Sequence, residues 1–226
     1  MKQYIIESAS RAQKQQRDFL LHNRIIVTVT EPLQNDVNVK KVLKDVQKLI
    51  PDHLLSDVDS VYIGDYEPLK ARQVQSLFIN GTILISNDMK DDKELFATII
   101  HEIGHAVEEI AKDFLYSDGR IAKEFLAKRK TLYNLLKDDY KINPKSFLNI
   151  NFDTSFDNFI YKSIGYDNLG VITNGLFLSP YACTSLREYF ANGFEHYFLK
   201  DDGGINEVSP ILYKKIKLIL KPDYNN

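Results

Sequence analysis

Two periods of apolar spacing divide this chain. Ile25-Ile26-Val27-Thr28-Val29 is a β-branched run stopped by Glu31-Pro32, which predicts a strand over residues 24–30. Before it, residues 7–22 predict a basic amphipathic helix capped by Ser8 or Ser10. Ala12, Phe19 and Leu20 lie on its apolar side, and Arg11, Lys14 and Arg17 on a solvated face. After it, Val39, Val42, Leu43, Val46 and Leu49-Ile50 recur at helical spacing between a candidate cap, Asp36, and a stop, Pro51. Ser60-Val61-Tyr62-Ile63-Gly64 predicts a short strand. Val74–Ile79 and Thr82–Ser86 flank Asn80-Gly81, the pair that favours a two-residue hairpin turn.

Past a polar loop, Asn87–Asp92, the period is helical. Asp91 or Asp92 caps a helix expected to run to about Ala111, and residues 119–138 form a charged second helix in which Lys128-Arg129-Lys130 reads as an exposed turn. Residues 141–177, rich in aromatics, Asn and Asp and broken by Pro144, Gly165, Gly170 and Gly175, read as packed loops walling a cleft. A helix follows over Thr184–Leu199, then a break at Asp201-Asp202-Gly203-Gly204. Ser209-Pro210 opens a last helix carrying Ile211, Leu212, Ile216, Ile219 and Leu220. There is no internal repeat and no linker. The expected fold is α+β: one domain over 1–226, with an α/β lobe to about residue 111 and a mainly helical lobe over 112–226.

Composition narrows the function classes. The 226 residues, 44% hydrophobic and 27% charged, are enough for a substantial core. A net charge of −2 leaves no electrostatic footprint for nucleic acid, so no nucleic-acid partner is expected. The single cysteine, Cys183, excludes an internal disulfide framework. No apolar run is long enough for a membrane span, and the first residues show no apolar leader. A cytoplasmic protein is expected, unless it is delivered elsewhere or built into a larger particle.

One motif carries chemistry. His101-Glu102-Ile103-Gly104-His105 lies within the first long helix, after Leu95–Ile100 and before Ala106–Ile110. Residues four apart on a helix sit about 40° apart around its axis, so His101 and His105 point the same way, the geometry for two nitrogens on one Zn²⁺. Glu102 lies about 60° from His105, in reach of a metal-bound water. Glycine inside a helix costs about 1 kcal/mol relative to alanine, so Gly104 calls for a packing or functional reason.

A catalytic zinc site takes three protein ligands and leaves one position open. A third histidine six residues after His105 would fall at position 111, which is Ala111. Two glutamates compete instead. Glu124, nineteen residues after His105, has a usual His₂Glu spacing but also Lys128 one turn on, which suits a surface ion pair. Glu188 lies on a helix with an apolar stripe (Leu186, Tyr189, Phe190, Phe194) and has small neighbours on its flank, where a carboxylate needs a partner. Tyr181, seven residues before it, offers a phenol that could donate to a developing oxyanion. Glu108, Glu109 and Glu195 read as surface charges, and His196 as a weaker rival ligand.

The HExxH segment followed at long range by Tyr181 and by Glu188-Tyr189-Phe190-Ala191 resembles the catalytic domain of the anthrax-lethal-factor-like metallopeptidases, a group that includes the bacterial Pro-Pro endopeptidases. The resemblance implies a zincin-like fold, a small mixed twisted sheet with an edge hairpin over the HExxH helix. It also implies one zinc per chain on His101, His105 and Glu188, with Glu102 as general base and Tyr181 as transition-state stabiliser. The implied activity is that of an endopeptidase on a protein or peptide held as an extended strand, with the Asn80-Gly81 hairpin as its shelf. Where the family often has Glu, this chain has Asn192, so a hydrogen bond around the ligands is altered. The other reading is a catalytically idle binding or structural component of a larger assembly, such as a virion or toxin complex.

Overall fold

The computed structural model describes residues 17–199 and 203–224. The fold is α+β, with one small mixed five-stranded sheet and several helices. The chain forms two compact units, 1–52 with 56–99 and 53–55 with 100–226.

The first unit is built on strands β1 (Asp18–Leu21), β2 (Ile25–Val29), β3 (Ser60–Gly64), β4 (Ser76–Ile79) and β5 (Thr82–Ser86), in the spatial order β1-β2-β3-β5-β4. The three central strands are parallel, with Val27 facing Val61 and Val61 facing Ile83, and the outer two are antiparallel. Alternation buries Ile25, Val27, Val29, Val61, Ile63, Ile83 and Ile85, while Ile26 on the opposite face is 52% exposed. Helix α1 (Val39–Leu49) makes the crossover from β2 to β3 and buries Val39, Val42, Leu43 and Val46. Its cap is Asn38, whose side chain accepts from the Lys41 amide, and not Asp36. A short helix, α2 (Glu67–Arg72), was not expected from the sequence.

The basic first helix is overturned where it can be followed. Residues 18–21 are strand β1, paired antiparallel with β2 through a tight turn at His22 and Asn23, both left-handed (φ 50° and 53°). Ser8, Ser10, Arg11, Ala12 and Lys14 lie outside the described residues. The second hairpin is as expected, with Asn80 and Gly81 both at positive φ. Its second arm, β5, is paired on both sides, and its first arm, β4, is one of the two outer strands of the sheet.

The boundary between the units falls within α3 (Asp92–Tyr116). Asp91 accepts from the amides of Lys93 and Glu94 at 2.9 Å and starts this helix, which extends five residues past Ala111. The second unit continues with α4 (Arg120–Leu136), α5 (Thr154–Asn158), a π-helical turn (Phe159–Ile164), α6 (Tyr166–Ile172), α7 (Leu186–Leu199), α8 (Gly203–Val208) and α9 (Pro210–Ile219). The stretch expected as loops is therefore largely short helices, and Gly203-Gly204 begin one. No helix among the described residues is long and apolar enough to cross a membrane.

Arg129 is the largest fully buried side chain, not part of an exposed turn. Its guanidinium donates to the carbonyls of Cys183, Thr184 and Ser146 and stacks on Phe156, 3.8 Å from the ring centre. A buried cation held by carbonyls and ring faces ties α4 to the turn that precedes α7.

Candidate metal centre

The site residues of α3, from His101 on, and all of α7 lie within the second unit. Where α3 passes α7, a Cβ on Gly104 would lie 3.2 Å from the Ala191 Cα and 3.3 Å from the Phe194 Cβ. A Cβ would be tight against a backbone atom here, which supplies the packing reason for a glycine inside the helix. Ser185 accepts from the Glu188 amide at 3.1 Å at the start of α7, and so places Glu188 in its first turn.

His101, His105 and Glu188 converge. One nitrogen or oxygen from each lies within 4.8 Å of the other two. His101 Nε2 is 3.3 Å from Glu188 Oε2, and His105 Nε2 is 3.4 Å from Glu188 Oε1. The two imidazoles are edge to face, 4.9 Å between centres. Glu188 Oε2 is buried and makes no aligned hydrogen bond, although an imidazole nitrogen is beside it. A carboxylate whose two oxygens each face an imidazole nitrogen, one of them without an aligned hydrogen bond, fits a cation, and the three side chains form a group that could hold a metal ion.

The electrostatics have the same origin. Burial opposes the charged form of His101, but Glu188 and Glu195 on its two nitrogens outweigh burial and raise its pKa to about 10. Burial likewise opposes ionisation of Glu188, yet His101 and His105 hold it well below the usual carboxylate range. The two carboxylates thus favour a proton on His101, with which a metal at that nitrogen would compete.

Around these three, the structure corrects several expectations. Glu195 is not a surface charge: its Oε2 lies 3.1 Å from His101 Nδ1, on the far side of the ring from Glu188. That is the carboxylate–histidine arrangement that orients a metal-binding imidazole. Glu108 is buried, 3.8 Å from Arg187 Nε, while Glu109 is exposed as expected. Arg187 Nε also donates to His105 Nδ1 at 3.1 Å. Glu124 is neither a ligand nor a surface partner of Lys128. Its carboxylate accepts from the amides of Ile211 and Leu212, at 2.8 and 3.1 Å, and from the Tyr189 hydroxyl at 2.9 Å, capping α9. Lys128 donates instead to the carbonyls of Leu176 and Val208. His196 is not in the ligand group among the described residues.

Glu102 is buried, on the same helical turn as the two histidines. Tyr181 lies half-buried on a 3₁₀ turn (Tyr181–Cys183) just before α7. Burial, with the charges of Glu188, Asp157 and Glu102 around it, raises the Tyr181 phenol above its ordinary value, so it stays protonated at neutral pH. Sequence reasoning missed Glu195 and Arg187. Glu195 had one signal, its place two helical turns after Glu188 on the same face; Arg187 had none.

Comparison with protein-family models, with curated proteins and with solved structures finds no match.

Proposed function

We propose that the chain is a zinc-dependent endopeptidase with a zincin-like fold, of the lethal-factor-like kind that its motifs resemble. The observation that carries the proposal is the convergence of His101, His105 and Glu188 beside a buried Glu102. The metal is zinc in this reading because two imidazoles and one carboxylate are its usual catalytic set. When bound, zinc would lower the pKa of a coordinated water and polarise the scissile carbonyl.

The chain's own groups do the rest. Glu102 accepts the proton of the attacking water and returns it to the leaving nitrogen, a role worth about 10²- to 10⁴-fold in rate. Tyr181, held protonated, donates to the oxyanion, which is worth about 3 kcal/mol. Glu195 keeps the His101 ring turned toward the site. The substrate binds as an extended strand.

A peptide library incubated with the zinc-loaded protein and read by mass spectrometry tests this. Cleavage that stops with a chelator and with Glu102→Gln, while the variant keeps one zinc per chain, is the expected result. Stoichiometric metal with no turnover on any peptide would overturn the enzyme and favour the idle binding component.

A further inference from the structure

Asn192 lies on α7 one turn after Glu188, buried, at the position where the sequence departs from the family it resembles. Its Nδ2 donates to the Glu188 carbonyl at 2.8 Å. Its Oδ1 accepts from the Ser179 hydroxyl, and Ser179 Oγ in turn accepts from the Ala182 amide at 3.2 Å. These bonds run in one direction, from the Ala182 amide through Ser179 and the Asn192 side chain to the backbone of Glu188. The direction fixes the amide's orientation, because a flipped Asn192 would set Oδ1 against the Glu188 carbonyl oxygen. A glutamate here could accept from Ser179 but could not donate to that carbonyl. Asparagine is the side chain that does both.

Ala182 follows Tyr181, and Ser179 precedes it by two residues. The relay therefore brackets the tyrosine and fastens its turn to the helix that carries Glu188. Further back, Arg129 grips the carbonyls of Cys183 and Thr184, so the turn is held from both sides. We infer that Ser179 and Asn192 are positioning residues that hold the Tyr181 phenol in fixed relation to Glu188. The inference rests on the peptidase reading for its catalytic consequence, but the clamp itself can be read without turnover. A misplacement of about 1 Å at a reacting group can cost 10²-fold, so a small slackening of this turn has a measurable effect.

The test uses Ser179→Ala, Ser179→Thr, Tyr181→Phe and the Ser179→Ala/Tyr181→Phe pair in the full chain. Hydrogen exchange of the metal-free protein, followed by mass spectrometry, should show Ser179→Ala losing amide protection in fragments covering residues 180–185 and little elsewhere. Ser179→Thr, which keeps the hydroxyl, should retain that protection. Unchanged protection at 180–185, or a loss spread evenly through residues 100–224, would overturn the clamp. On the best-cleaved library peptide, Ser179→Ala should lower kcat by about tenfold to a hundredfold, with KM and zinc content unchanged. In the Tyr181→Phe background it should cost almost nothing more, because its effect passes through that phenol. Additive losses would overturn the positioning role. A wild-type chain that cleaves nothing would sink the peptidase reading, and the exchange result would still decide the clamp.

Discussion

A single carboxylate can be a ligand, a cap or a prop for another side chain, and in this chain three glutamates are placed for those three roles. Glu188 faces two imidazole nitrogens, Glu124 faces two helix-end amides and a phenol, and Glu195 faces the back of His101. Each role predicts a different loss. Glu188→Ala should abolish stoichiometric zinc, because two histidines alone leave a weak, open site. Glu124→Ala should keep the zinc but lower the unfolding free energy by about 1–3 kcal/mol, since it strands the Tyr189 hydroxyl and two helix-end amides. Metal content by elemental analysis, together with urea unfolding of both variants, separates them; zinc retained in Glu188→Ala and lost in Glu124→Ala would reverse the assignment. Glu195→Gln is milder. The ring keeps a hydrogen-bond partner but loses a charge, and zinc affinity by chelator competition should fall by about 10- to 100-fold. An unchanged affinity would mean that Glu195 does no more than solvate the ring.

At the scale of elements, the site depends on how closely α3 and α7 approach, and Gly104 sets that distance. Alanine there would gain about 1 kcal/mol of helix propensity, but its Cβ would press on the Ala191 Cα, a backbone atom that cannot turn aside. Gly104→Ala should therefore lower zinc affinity more than tenfold while the free energy of unfolding moves by less than about 1 kcal/mol. Isothermal titration beside urea denaturation would show it, and a full-affinity Gly104→Ala would remove the close approach from the account. The elements that were legible in the sequence are those whose signals are local: the β-branched strands, the Asn80-Gly81 turn, the periodic helices and the two histidines one turn apart. Glu188 was legible because a carboxylate on an apolar flank needs a partner wherever that partner lies. Strand β1 was not, since its turn at His22-Asn23 lacks the glycine that marks most left-handed turns. Arg129 was misread for a different reason. A Lys-Arg-Lys run looks solvated, and the carbonyls that hold the guanidinium come from residues 146, 183 and 184, which no local pattern brings near. Glu124 was misread likewise, its partners lying at 189, 211 and 212.

For the molecule as a whole, the question is whether the fold would need a metal held at this site. Small zinc domains do, because they lack a core and the binding free energy is their folding free energy. Here α3 buries Ile103, Ala106 and Val107, and α7 buries Tyr189, Phe190 and Phe194, all independently of any ion. The ligands are also compensated without metal, by the ion pairs of His101 with Glu188 and Glu195. A metal held there would then be a ligand of the native state alone. Zinc would stabilise by mass action, about 2.7 kcal/mol when free zinc exceeds Kd a hundredfold. At roughly 2–4 °C per kcal/mol for a chain of this length, chelation should lower Tm by roughly 5–10 °C and leave the far-ultraviolet circular dichroism intact. Glu188→Ala should unfold at the same temperature with and without chelator, since it has no metal to lose. A chelated wild-type chain that loses its helical signal at 25 °C would show that the ion builds the fold rather than occupying a site the fold has already made.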